Sequence, residues 1–171
     1  IPVDPFFMIY ESKRNGFTPQ LIEMAREIND YLPQHVGTET LRLLTENAKA
    51  PSESTVLLLG LTYKPNVEDI RTSAVDGVIK KLRSFNVNVV GYDPRADTEA
   101  CREEFEIPIQ AELSFDGIDA VVLSAGHDEL LAIDYEDAAD AMATNPGLVD
   151  VHGDLDSARL RSSPRLEYRR I

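Results

Sequence analysis

The segment GLTYKPNVEDIRTS, residues 60–73, carries the side chains best suited to binding chemistry. Tyr63 stands beside Lys64, and Asp69 precedes Arg71 by two positions. An aromatic ring next to a cation suits a nucleotide, because the ring can stack on a base while the charge attracts a phosphate. A solvated loop with a local pair between Asp69 and Arg71 fits the same residues. Residue types alone leave both interpretations open.

The three histidines and the single cysteine lack the partners that catalysis or metal binding requires. No cysteine or histidine stands three or four positions from His35, His127 or His152, so we expect surface or strand-end roles and no metal site. Cys101 falls in a predicted helix with no histidine nearby, which favours a structural role. A single cysteine also excludes an internal disulfide and indicates a reducing compartment, the cytoplasm.

The elements that position these residues predict an α/β fold. Apolar, partly β-branched runs predict four strands, at residues 55–59, 87–92, 119–124 and 148–151. Helical patterns near residues 72–82, 96–104 and 134–143 alternate with them. This alternation predicts a Rossmann-like parallel sheet with helices on both faces. Ligands in such sheets lie beyond the carboxyl ends of the strands, here the loops after Leu59, Tyr92, Ser124 and Val151.

The loop after the first strand departs from a dinucleotide-binding loop. A dinucleotide site has the pattern G-x-G-x-x-G there, whereas this loop offers Gly60 alone. We therefore expect Rossmann-like order without a standard dinucleotide cradle. Asp93, at the end of the second strand, fits either a ribose-binding acid or a cap of the next turn, and the lack of glycines favours the cap.

The N-terminal residues predict two helices before the sheet. Asp4-Pro5 is typical of a helix start with Asp4 as its cap, and Asn15-Gly16 is typical of a helix end. A second helix begins at Thr18-Pro19 and carries one apolar face, formed by Leu21, Ala25, Ile28 and Leu32. We expect Pro33 to kink or interrupt it, with a second part through Leu44, and we expect a linker at residues 47–54.

Composition narrows the possible partners. The chain has 171 residues, about one domain, and 17 basic against 30 acidic residues give a net charge of −13. The sequence has no stripe of basic residues that would bind nucleic acid, and no apolar run approaches the roughly 18–20 residues of a membrane helix. We therefore expect neither nucleic acid nor a membrane as a partner. Strong acidity with few lysines fits proteins of a high-salt cytoplasm, and an acidic mesophilic surface fits as well.

The chain resembles the nucleotide-sugar 6-dehydrogenases in four segments that follow one another in order: IPVDPFF, REINDYLP, GLTYKPNVEDIRTS and VVGYDPRAD. The resemblance covers residues 1–98, and IPVDP is most like the UDP-N-acetylmannosamine branch. It implies an NAD-dependent enzyme that oxidises the C6 alcohol of a UDP-sugar to a carboxylate in two hydride transfers. It also implies an NAD-binding domain, a central helical domain and a C-terminal UDP-binding domain.

The resemblance divides the chain into residues 1–50, the end of the central dimerisation domain, and residues 51–171, the UDP-sugar-binding domain. Residues 18–47 match the dimer helix, which implies a homodimer or higher homo-oligomer. The family's catalytic cysteine immediately precedes the segment that Ile1 begins, and NAD is bound mainly by the N-terminal domain. We therefore expect this chain to be a fragment that is inactive alone. A non-catalytic nucleotide-sugar-binding or assembly module is the alternative.

The resemblance also assigns roles to single residues. Asp4 matches the catalytic aspartate that assists proton transfer, a role that competes with helix capping. Tyr63 and Lys64 match the pair that contacts the UDP-sugar, and Asp69 would orient their loop. Arg71 matches an arginine that reaches NAD across the domain interface.

One substrate-binding arginine of the family has no direct counterpart. It follows the last predicted strand in some relatives, where this chain reads DVHGD. His152, Arg159 and Arg165 are the three candidates to replace it, and the sequence does not choose between them.

Overall fold

Five parallel strands form the centre of the molecule, in a computed structural model that describes residues 3–171. The strands are β1 (Thr55–Leu59), β2 (Asn88–Tyr92), β3 (Ala120–Leu123), β4 (Gly147–Asp150) and β5 (Glu167–Arg170). They pair in the order β2-β1-β3-β4-β5. The predicted Rossmann-like parallel sheet is confirmed. Ile1 and Pro2 of the IPVDPFF segment lie outside the described residues.

Helices cover both faces of this sheet. They are α1 (Asp4–Arg14), α2 (Gln20–Glu46), α3 (Val75–Arg83), α4 (Thr98–Phe105), α5 (Asp128–Leu131), α6 (Tyr135–Ala138) and α7 (Ser157–Arg161). Short 3₁₀ turns span Pro51–Glu53 and Ala139–Ala141. One face packs against α2, α3 and α4, and the other against α5, α6 and α7. Among the described helices, none is long and apolar enough to cross a membrane.

The central strand β1 shows why the sheet needs helices on both faces. Val56 and Leu58 point into one apolar cluster, while Leu57 and Leu59 point into the other. Side chains alternate along a strand, so a continuous apolar run is stable only when both faces are covered. All four of these side chains are fully buried.

The long helix α2 corrects one expectation from the sequence. It continues from Gln20 to Glu46 as a single α-helix with Pro33 inside it, so the predicted interruption at Pro33 is wrong. Pro33 packs against α3 at Gly77, where an added Cβ would lie 2.6 Å from the Cβ of Pro33. This close helix contact offsets the hydrogen bond that proline cannot make.

The short helix α1 corrects a second expectation. It begins at Asp4, as predicted, but Val3 occupies the cap position and no side chain caps the helix. The Asp4 side chain is exposed and is the first residue inside the helix. Asp4 is therefore not the N-cap that the Asp-Pro pair predicts.

Candidate functional site

A cleft of about 1340 Å³ lies between the N-terminal helices and the carboxyl ends of the strands. Its floor includes Thr62 after β1, Ser124 after β3, and Val151 and His152 after β4. Residues of α2 form one wall, and residues of the segment 63–78 form another. We expected ligands beyond the carboxyl ends of the strands, in four loops. Residues from three of these loops line the cleft, and the loop after Tyr92 does not. It is large enough for a nucleotide-sized ligand.

Tyr63 and Lys64 stand together on the cleft wall. The Lys64 Nζ lies 5.2 Å from the centre of the Tyr63 ring, within the range of a cation–π contact. Tyr63 remains 39 % exposed, so part of its ring is free for a ligand. The structure thus brings together the aromatic ring and the charge that suit a nucleotide.

Asp69 and Arg71 line the same wall and form a two-pronged ion pair. The Arg71 Nε donates to Asp69 Oδ1 at 2.9 Å, and Nη2 donates to Oδ2 at 2.7 Å. These bonds lower the pKa of the Asp69 carboxyl from 3.8 to about 2. The local pair expected for a solvated loop therefore exists, and both of its members also face the cleft.

Asp93 secures two loops below the cleft and does not face a ligand. Its Oδ1 accepts the amides of Arg95 and Ala96, both at 2.9 Å, so the predicted cap of the next turn is confirmed. Its Oδ2 accepts the amide of Leu61 at 2.6 Å. The side chain is 1 % exposed and lies outside the cleft lining, so the ribose-binding alternative is wrong.

The charge of Asp93 is stabilised inside the protein. Burial alone would raise the pKa of its carboxyl. Hydrogen bonds from His127 and from the amides of Ala96, Arg95 and Leu61 outweigh that effect and hold the pKa below its usual value. An ionised carboxylate therefore sits under the loop that carries Tyr63 and Lys64.

His127 has the strand-end position expected from the sequence and not the surface position that was the alternative. It follows β3, as a strand-end residue would, but it is fully buried and bonded to Asp93, Thr62 and Asn66. A surface role for His127 is therefore wrong. No local sequence signal indicates the hydrogen-bond partners of His127. The one available guide is the general rule that buried polar groups are hydrogen-bonded.

Among the candidates for the missing arginine, His152 alone lines the cleft. Arg159 pairs with Asp134 and Glu136, and Arg165 pairs with Asp137 and Asp140. Both arginines are thus held by acidic partners outside the cleft lining. The geometry favours His152 of the three.

Asp4 stands at the edge of the cleft rather than in its wall. Its neighbours Val3 and Pro5 line the cleft, but Asp4 does not. With no capping bond, its carboxylate is not engaged by the amides of its own helix.

The wall formed by α2 contributes polar residues that the residue-type analysis missed. Arg26, Asn29 and Asp30 line the cleft, and Arg26 pairs with Asp30 and lies over the Phe6 ring at 5.0 Å. The segment REINDYLP, which carries the family resemblance, contains all three polar residues and was the available signal.

The charge of the lining has the opposite sign to that of the chain. Its cations are Arg26, Lys64 and Arg71, against the two carboxylates of Asp30 and Asp69. A net positive cleft on a chain of net charge −13 favours an anionic ligand.

Neither a metal site nor a dinucleotide cradle is formed by the described part of the chain. No group of three or more metal-ligating side chains occurs among the described residues. An added Cβ at Gly60 would lie 2.2 Å from the carbonyl oxygen of Ala125, so the loop after β1 packs closely on the loop after β3 at this glycine. The loop after β1 carries Gly60 alone, where a dinucleotide cradle has three glycines.

Sequence comparison finds relatives with named activities. A family model described as the UDP-glucose/GDP-mannose dehydrogenase family, UDP binding domain, matches residues 57–157. UDP-glucose 6-dehydrogenase AglM of Haloferax volcanii is 35% identical over 138 residues, which cover 79% of this chain and 31% of that protein. UDP-N-acetyl-D-glucosamine 6-dehydrogenase of Salmonella typhi is 30% identical, covering 80% and 32%. The chain spans about a third of the length of these relatives.

Solved structures share the fold. A UDP-D-ManNAc dehydrogenase from Pyrococcus horikoshii superposes with a TM-score of 0.80 at 23% identity, covering 99% of this chain and 37% of that one. A UDP-glucose dehydrogenase from Pyrobaculum islandicum gives a TM-score of 0.75 at 21% identity, covering 98% and 36%. At these identities the likeness shows the architecture alone.

Proposed function

The chain belongs to the UDP-glucose/GDP-mannose dehydrogenase family, because the family's UDP binding domain matches residues 57–157, and we propose that the cleft holds the UDP part of a UDP-sugar. The observation that carries this proposal is the place of Tyr63 and Lys64 on the cleft wall, beyond the carboxyl end of β1. The sheet of residues 51–171 is then the UDP-sugar-binding domain. Residues 1–50 are the end of a central helical domain.

The two wall residues divide the recognition of UDP between them. The Lys64 ammonium pairs with the diphosphate through charge-assisted hydrogen bonds, and the exposed part of the Tyr63 ring packs on the nucleoside. The excess of positive charge in the lining supports an anionic ligand of this kind. His152, on the cleft floor, takes the place of the family's late arginine.

The complete enzyme, of which this chain would be the C-terminal part, oxidises the C6 alcohol of the sugar to a carboxylate in two hydride transfers to NAD. Its nucleotide cofactor is held mainly by another domain, and Arg71 reaches toward it from the cleft rim. Asp4 is the proton-transfer residue and positions the hydrolytic water, as an exposed carboxylate free of capping bonds can do. The dehydrogenase names of the relatives support this assignment.

The exposed apolar face of α1 and α2 supports self-association. Ile28 is 60 % exposed on the stripe that the sequence predicts and, unlike the other three residues of that stripe, does not line the cleft. Phe7 and Tyr31, 65 % and 62 % exposed, extend the same helices' apolar surface. An apolar surface of this extent is typical of an interface. We propose a homo-oligomer formed through the helix of residues 18–47.

The substitution Lys64→Ala tests the nucleotide site. Loss of a charge-assisted bond should weaken UDP binding by about 1.5–3 kcal/mol, or about 10- to 150-fold in Kd, measured by calorimetry. The matched control is Lys80→Ala, because Lys80 pairs with Asp76 on α3 and does not line the cleft. An unchanged UDP affinity in Lys64→Ala would refute the site assignment.

A further inference from the structure

A buried imidazole joins three loops beneath the cleft. His127 and the Asp93 side chain are 0 % and 1 % exposed. The His127 Nε2 lies 3.1 Å from Asp93 Oδ2 and 3.1 Å from Thr62 Oγ1. Its Nδ1 accepts the backbone amide of Asn66 at 2.9 Å. One side chain from the loop after β3 thus contacts the loops after β1 and β2.

The partners of His127 define its protonation state. A backbone amide only donates, so Nδ1 carries no hydrogen where it accepts from Asn66. The hydrogen is then on Nε2, where the Asp93 carboxylate and the Thr62 hydroxyl oxygen share it. His127 in this geometry is a neutral imidazole with one accepting and one donating nitrogen.

The two contacts to the loop after β1 lie on either side of its ligand-facing residues. Thr62 precedes Tyr63 and Lys64, and Asn66 follows them. The Thr62 hydroxyl links His127 to Lys64, because the same hydroxyl donates a hydrogen bond to the Lys64 carbonyl at 3.0 Å. The loop is therefore held both before and after Lys64 by one buried ring.

The backbone of Asn66 lies in the left-handed region, with a φ of +62°, which asparagine adopts more readily than most other non-glycine residues. Two hydrogen bonds with Asp128 fix the Asn66 side chain. The Asp128 Oδ1 accepts from Asn66 Nδ2 at 2.9 Å, and the Asp128 backbone amide donates to Asn66 Oδ1 at 3.1 Å. The residue after His127 thus reinforces the contact that His127 makes.

We propose that His127, oriented by Asp93, is a positioning residue that sets the height and angle of the Tyr63–Lys64 loop for its ligand. This inference rests on the proposed UDP role of the cleft. His127 does not line the cleft, so its effect on binding passes through Thr62 and Asn66. His127 would strengthen binding by pre-organising the loop, because a loop that is already fixed loses little conformational entropy when the ligand binds.

Two substitutions separate the two nitrogens of the ring. In His127→Asn the side-chain oxygen can occupy the Nδ1 position and keep the Asn66 amide bonded, but nothing reaches Asp93. In His127→Gln the terminal amide can occupy the Nε2 position and keep the donor to Asp93, but Asn66 loses its acceptor. His35→Asn is the matched control, because His35 lies on α2 outside this network and outside the cleft lining.

Amide hydrogen exchange and UDP calorimetry on the full chain read out the result. In His127→Gln we expect the Asn66 amide to exchange about 10-fold faster or more, and Kd for UDP to rise about 3- to 10-fold. In His127→Asn the Asn66 amide stays protected, while the Leu61 and Thr62 amides exchange faster. Amides of the distant strand β5 keep wild-type rates, which a general loss of stability would not allow.

The outcomes distinguish this inference from the proposed function. Wild-type protein that fails to bind UDP contradicts the function, and the exchange pattern still tests the positioning role. Wild-type binding with unchanged affinity and unchanged loop exchange in folded variants overturns the positioning role. The ¹⁵N shifts of His127 in the wild type need no variant: a bare Nδ1 and a protonated Nε2 support the inference, and any other pattern contradicts it.

Discussion

Replacing Gly60 with alanine probes the packing that shapes the floor of the cleft. Gly60 has a φ of +77°, and an added Cβ would lie 2.2 Å from the carbonyl oxygen of Ala125 and 2.8 Å from its amide nitrogen. Real Cβ atoms stay beyond 3.0 Å. The backbones cannot separate freely, because the Ser124 amide donates to the Leu59 carbonyl at 2.8 Å.

Two effects add in Gly60→Ala. A left-handed φ costs an L-residue about 1–2 kcal/mol, and forcing packed backbone apart costs about 1–3 kcal/mol more. Gly117→Ala is a matched control, because Gly117 has a φ of +68° and nothing lies within 4 Å of its added Cβ. Both substitutions reduce the entropy of the unfolded chain alike, so that effect cancels between them.

Urea denaturation of the wild type and both variants measures the difference. We expect Gly60→Ala to lower the free energy of unfolding by about 1–3 kcal/mol more than Gly117→Ala does, with unchanged m-values. Equal destabilisation by the two variants would refute the reasoning, because it would mean that the contact between Gly60 and Ala125 carries no steric cost.

The remaining predictions concern the surface and the titrating groups. Ile28→Asp with Tyr31→Asp, two exposed residues outside the cleft lining, should convert the oligomer to a monomer in light scattering, and a monomeric wild type would contradict that interface. The Asp69 carboxyl should titrate near its pKa of about 2 by NMR, so its ion pair with Arg71 persists above that pH and is lost below it. In Arg71→Ala the midpoint of this titration should rise toward 3.8. An unmoved midpoint would exclude the ion pair. Burial raises the pKa of the Cys101 thiol to about 11, so thiol reagents at pH 8 should label it only after unfolding, and prompt native labelling would show an accessible thiol.

The sequence predicted the elements whose signals are local. β1, β3 and β4 are apolar runs buried on both faces, which is why their positions could be read directly. β5 was missed because its sequence is EYRR, with Tyr168 as its one buried residue, as suits an edge strand. The helices α5 and α7 have four and five residues, too few to show helical periodicity.

The expectations that failed depend on contacts between distant segments. Pro33 remains inside α2 because α3 presents Gly77 to it, and nothing near Pro33 in sequence encodes that glycine. The burial of His127, which excludes the surface alternative and not the strand-end one, also depends on distant segments, because its three partners come from two other loops. The location of Tyr63 and Lys64 was predictable, because ligands of a parallel sheet lie beyond the carboxyl ends of its strands and the end of β1 is clear from the sequence.

The most direct test of the central claim is calorimetric titration of this chain with UDP and, separately, with NAD. We expect UDP to bind at one site per chain, because Tyr63 and Lys64 face the cleft. We expect no binding heat with NAD, because the loop after β1 lacks the glycines of a dinucleotide site. A folded sample that binds NAD but not UDP would contradict this claim.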